Sequence, residues 1–108
     1  MSGYADISEK AFTAQVIALA RWHKWRVAHF RAAMTKGGRW VTPVQGDGAG
    51  FPDLIMLRHN RRIMAELKAA KGKTTIEQAK WLESARIADF EVYIWRPENI
   101  EQIEAILK

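Results

Sequence analysis

Between residues 53 and 68 the chain runs through two segments of strand length, DLIML and RIMAELK, separated only by RHNR. So short a connection makes an antiparallel hairpin the natural pairing. The hydrophobic period changes on either side of it. Upstream, DISEKAFTAQVIALARWHK sets Phe12, Val16, Leu19 and Ala20 at helical spacing, with Asp6 and Glu9 placed to form an N-terminal capping box. WRVAHFR then alternates enough to be a strand. Residues 31–50, with five glycines, Pro43 and basic side chains, read as a loop or a loose hairpin. Downstream, KGKTT breaks the pattern, and residues 75–88 put Ile76, Ala79, Leu82 and Ala85 on the apolar side of a second helix. FEVYIW is a further strand, and Ile100, Ile103 and Leu107 mark a last helix. The order αβββαβα predicts an α/β fold: an αβββαβ core with a mixed central sheet flanked by helices, plus a C-terminal helix. With 108 residues and no internal repeat, residues 1–108 form a single domain around one core.

Charge narrows the class of partner. Lys and Arg number 17 against 12 Asp and Glu, a net charge of +5 and a sequence pI near 9.8, which favours polyanionic partners such as nucleic acid or an anionic membrane surface. There is no cysteine, which excludes disulfides and thiolate zinc sites and suits a reducing compartment. The opening MSGYADISEK lacks a basic segment leading into an apolar run, and no stretch approaches the roughly 18 apolar residues of a membrane span. The expectation is a soluble cytoplasmic protein with no membrane partner.

Central strands covered on both faces should be nearly all apolar, so charges in them need a reason. In RIMAELK the period of two sends Ile63, Ala65 and Leu67 to one face, and Arg62, Met64, Glu66 and Lys68 to the other. Asp53 opens the preceding strand, and antiparallel pairing would bring it beside the end of the next. Asp53, Glu66 and Lys68 can therefore converge at one end of the sheet. Two carboxylates supply hard oxygen ligands for Mg²⁺, which keeps several waters. A metal-bound water is a nucleophile, and a neighbouring lysine can help position and deprotonate it or offset developing negative charge. Each residue alone also has a plainer explanation, as a turn aspartate or a solvated strand position.

Pro52 and Asp53, twelve residues, then Glu66, Leu67 and Lys68 resemble the PD-(D/E)xK nuclease signature. GFPDLI, AELKAAKGKTTIEQAKWL and FEVYIWRP are similar to the VRR-NUC branch, the virus-type replication-repair nucleases, over residues 9–97, in the manner of its stand-alone phage and prophage members. The resemblance implies a restriction-endonuclease-like core, Mg²⁺ or Mn²⁺ dependence, phosphodiester hydrolysis and a preference for branched DNA. It also implies a homodimer that acts as a Holliday-junction resolvase in a bacterial or phage-infected host cell. Two more site residues carry over. Glu9, three residues before Phe12 and seven before Val16, would continue the inward stripe of the first helix to the metal cluster, or serve as a capping glutamate. Gln78, on one helix face with Trp81 and Leu82, would orient the site near Lys68, or form a capping box with Thr75. The resemblance adds the Leu67 carbonyl as a metal ligand beside Glu9, Asp53 and Glu66.

His23, His29 and His59 lack paired metal-ligand spacing and read as ordinary surface or partly buried histidines. GDGAG, residues 46–50, lacks the Gly-Lys-Ser/Thr ending of a phosphate loop and reads as a turn. Trp81 and Trp95 fall within amphipathic elements; Trp22 and Trp25 flank the turn after the first helix. Trp40 lies beside Lys36 and Arg39, where it would stack on an unpaired base while the cations contact phosphates, or fold back onto the domain. Lys71 and Lys73 are further DNA-binding candidates. Trp22, Trp25, Phe30 and Trp40 together exceed what one small core readily buries, a hint of an interface. The expected activity is a metal-dependent, structure-selective DNA endonuclease, and the alternative is a non-cleaving DNA-binding module on the same fold.

Overall fold

The hydrophobic periods translate into four strands of one sheet. The computed structural model describes residues 7–30, 33–41 and 43–108, and its elements run α1 (Glu9–Trp22), β1 (Arg26–His29), β2 (Ala33–Met34), β3 (Trp40–Val41), β4 (Leu54–Arg58), β5 (Arg61–Leu67), α2 (Ile76–Ile87), β6 (Glu91–Trp95) and α3 (Ile100–Leu107). The main sheet has the order β1-β4-β5-β6, while β2 and β3 pair only with each other, so the glycine-rich stretch is the loose hairpin. β1, β4 and β5 are antiparallel neighbours and β6 is parallel to β5, which makes the sheet mixed. The turn between β4 and β5 is two residues long, with His59 left-handed at φ 55°. A parallel partner requires a crossover, and α2 supplies it.

The period of two in β5 sorts the sheet's faces. Ile63, Ala65 and Leu67 join Leu54, Met56 and Trp95 in a core closed by Phe12, Val16 and Ala20 of α1 and by Ile103 and Leu107 of α3. α2 covers β5 and β6 on the opposite face through Leu82 and Ala85. Ile76, expected on the apolar side of that helix, is exposed in its first turn. Trp25 also departs from expectation. It is buried in the core, donates its indole N–H to the Leu107 carbonyl at 2.9 Å, and carries the guanidiniums of Arg58 and Arg61 at 4.6 and 4.9 Å from its ring. Such contacts strengthen packing and leave Trp25 no part in an interface. Among the described residues no helix is long and apolar enough to cross a membrane.

Candidate active site

Asp53 immediately precedes β4, and the antiparallel register brings it to the C-terminal end of β5. Its backbone carbonyl accepts the Phe30 N–H at 2.9 Å, and its Oδ2 accepts the Leu67 N–H at 2.8 Å. In a strand the N–H and C=O of one residue point to the same side, so the Leu67 carbonyl is directed toward the Asp53 edge as well. One residue before it, Glu66 is 2% exposed. Its Oε2 accepts the Gln78 side-chain amide at 2.6 Å and stands 3.4 Å from Lys68 Nζ, whereas its Oε1 is buried with no hydrogen-bond partner. An unpartnered buried carboxylate oxygen costs folding energy and calls for a functional reason.

The electrostatics follow from this crowding. Burial, then the Asp53 charge, pushes the Glu66 carboxyl up to about 7, with Lys68 opposing. Asp53 is raised too, first by burial; the Leu67 N–H opposes this and the Glu9 charge adds to it.

Gln78 makes hydrogen bonds in two directions. Thr75 caps α2 by accepting the Gln78 backbone N–H, and the Gln78 Oε1 accepts the Thr75 N–H at 2.9 Å, a complete capping box. The other end of the same amide donates to Glu66. A helix terminus thereby fixes the rotamer of a carboxylate in the sheet.

Glu9 is different from the expectation in two respects. α1 is capped by Ser8, whose hydroxyl accepts the Ala11 N–H at 3.0 Å, so Glu9 is not a capping glutamate; Asp6 lies outside the described residues. Nor is Glu9 buried with the inward stripe: it is exposed in the first turn, three residues before the buried Phe12. It nevertheless lines the same cleft as Asp53, Glu66, Lys68 and Gln78, an open depression of about 730 Å³ whose wall also includes Trp40 and His29. Among the described residues, no three His, Asp or Glu side chains gather closely enough to enclose a metal ion by themselves. Asp53 lies near enough for its charge to act on Glu66, while Glu9 is exposed on the cleft wall.

Trp40 is 66% exposed on this wall and does not fold back into the core. Lys36 and Arg39 are exposed on the same hairpin, and Lys71 and Lys73 are exposed between β5 and α2; none of these four lines the cleft. His29 is the residue that spacing overlooked. It ends β1, directly opposite Leu54, and its charge favours ionised Asp53. The strand pairing brings it there, and ligand spacing along the chain carries no signal of that. His23 instead pairs with Glu104 of α3, away from the cleft.

Comparison with known proteins finds no matching family model, no similar curated protein and no similar solved structure.

Proposed function

We propose that this chain is a metal-dependent DNA endonuclease of the VRR-NUC type, with Asp53, Glu66 and Lys68 at its centre. The observation that carries the reading is Glu66: a buried carboxylate at the wall of an open cleft, beside a second carboxylate and a lysine, with one oxygen oriented by Gln78 and the other buried without a partner. A divalent cation fits that donor set, since Mg²⁺ or Mn²⁺ takes one or two carboxylates and retains waters, so no third protein carboxylate is needed. Asp53 and Glu66 would hold it, with the Leu67 carbonyl and Glu9 at hand. When bound, such an ion supplies a Lewis acid and an activated water.

The side chains then divide the work. Lys68, its ammonium kept near Glu66, offsets negative charge on the phosphate as water adds to phosphorus and one phosphodiester P–O bond breaks. Gln78 holds Glu66 in one rotamer. The exposed cations Lys36 and Arg39 on the hairpin and Lys71 and Lys73 after β5 hold phosphates away from the reacting one. The preferred substrate in this reading is branched DNA, four-way junctions included, cut by a homodimer whose two-fold axis matches the junction's. Trp22, 77% exposed, supports an interface between copies, whereas Trp25 does not. The test is incubation of the purified protein with linear duplex, flap, splayed and four-way DNA in Mg²⁺, Mn²⁺ or EDTA. Cleavage of branched DNA in either metal and none in EDTA is expected; intact DNA in every combination would overturn the proposal.

A further inference from the structure

We infer that Trp40 is a specificity-determining residue, whose indole stacks on an unpaired base beside the phosphate that a divalent cation at Asp53 and Glu66 would hold. The location of that phosphate rests on the nuclease reading; the stacking does not. Trp40 belongs to a hairpin with its own internal bonds: the Thr35 N–H donates to the Arg39 carbonyl at 2.7 Å, the Arg39 N–H to Thr35 Oγ1 at 3.1 Å, and Gly38 takes the left-handed conformation of the turn at φ 84°. The hairpin presents Trp40, 66% exposed, on the wall of the cleft of about 730 Å³. Trp25 and Trp95 are buried in the core, whereas this indole is not.

Chemistry selects the ligand. A large aromatic ring flanked by Lys36 and Arg39, neither of which is in an ion pair among the described residues, is the combination that binds a base and its phosphates together. In continuous duplex both faces of each base are already stacked on neighbours, so Trp40 gains a partner only where a nucleotide is unpaired or extruded. The residue would therefore discriminate by base accessibility and not by base identity.

Binding in EDTA isolates this from cleavage. Fluorescence anisotropy would compare a labelled single strand, the matching perfect duplex and the same duplex with a short internal bubble, for wild type, Trp40→Ala, Trp40→Phe and the Lys36→Ala/Arg39→Ala double variant. Trp40→Ala should lose roughly 5- to 100-fold in affinity for bubble and single strand, with the duplex changed by at most about two-fold. Trp40→Phe should recover most of the loss, and the double variant should weaken all three ligands alike. Wild-type affinity that does not favour unpaired bases, or equal effects of Trp40→Ala on all three ligands, would overturn the inference. So would a change in molecular mass on Trp40→Ala, which would place the ring between copies of the chain. A protein that stacks as described but cuts nothing in metal would refute the nuclease reading alone.

Discussion

Glu66 concentrates the conflict between folding and function. Its carboxyl is raised to about 7 in the fold, against an ordinary value near 4.5, so between those values the folded state binds more protons than the unfolded chain. The stabilising contribution of the protonated group is therefore full below about 4.5 and lost as pH rises through 7. In EDTA, the melting temperature of wild type should fall across this window, and Glu66→Gln should remove much of that slope; equal slopes would contradict the burial and crowding assigned to Glu66. Divalent metal competes with that proton, so stabilisation by Mg²⁺ should grow over the same window and be largely abolished in Glu66→Gln. Much of this was legible: period two put Glu66 and Lys68 on one face, and the hairpin put Asp53 at the same end. The side-chain bonds that single out one oxygen of Glu66 were not, because they depend on where α2 lands.

At the scale of elements, the first turn of α2 and the loop 46–51 act together. Gly50, left-handed at φ 77°, passes so close to α2 that an added Cβ would lie 2.5 Å from the Glu77 carbonyl carbon and 2.6 Å from the Gln78 nitrogen. The Trp81 indole N–H donates to the Asp47 carbonyl at 2.8 Å, and Phe51 packs edge-on to both Trp81 and Phe30. GDGAG is thus a packed support for α2, a role that its composition as a turn did not reveal. Gly50→Ala should destabilise the protein by about 1–3 kcal/mol, through left-handed strain plus the clash with the helix backbone. It should also weaken metal stabilisation by shifting Gln78 away from Glu66. A denaturant titration and a thermal shift in Mg²⁺ measure the two effects, and a silent Gly50→Ala would refute the close approach. The elements themselves could be read from the sequence because long periodic segments carry their own signal. Glu9's cap and Ile76's burial were misjudged because a helix's first turn is where the periodic pattern meets solvent.

For the whole molecule, a chain with one candidate active site makes one cut per visit, and cutting a four-way junction symmetrically takes two. Light scattering coupled to gel filtration should give the mass of two chains at micromolar concentration, and Trp22→Glu should shift it toward one; a monomeric mass for wild type would remove the paired-cut reading. His29 belongs to this scale too, since only the assembled sheet brings the end of β1 to Asp53. The central claim, that hydrolysis arises at Asp53, Glu66 and Lys68, is tested most directly by strand-resolved cleavage of a four-way junction in Mg²⁺ and Mn²⁺. Wild type, Asp53→Asn, Glu66→Gln and Lys68→Ala would be compared, each first shown to be folded. Paired nicks by wild type, with losses of about 100-fold or more in every variant, are the predicted result. Cleavage undiminished in Asp53→Asn or Glu66→Gln would contradict it.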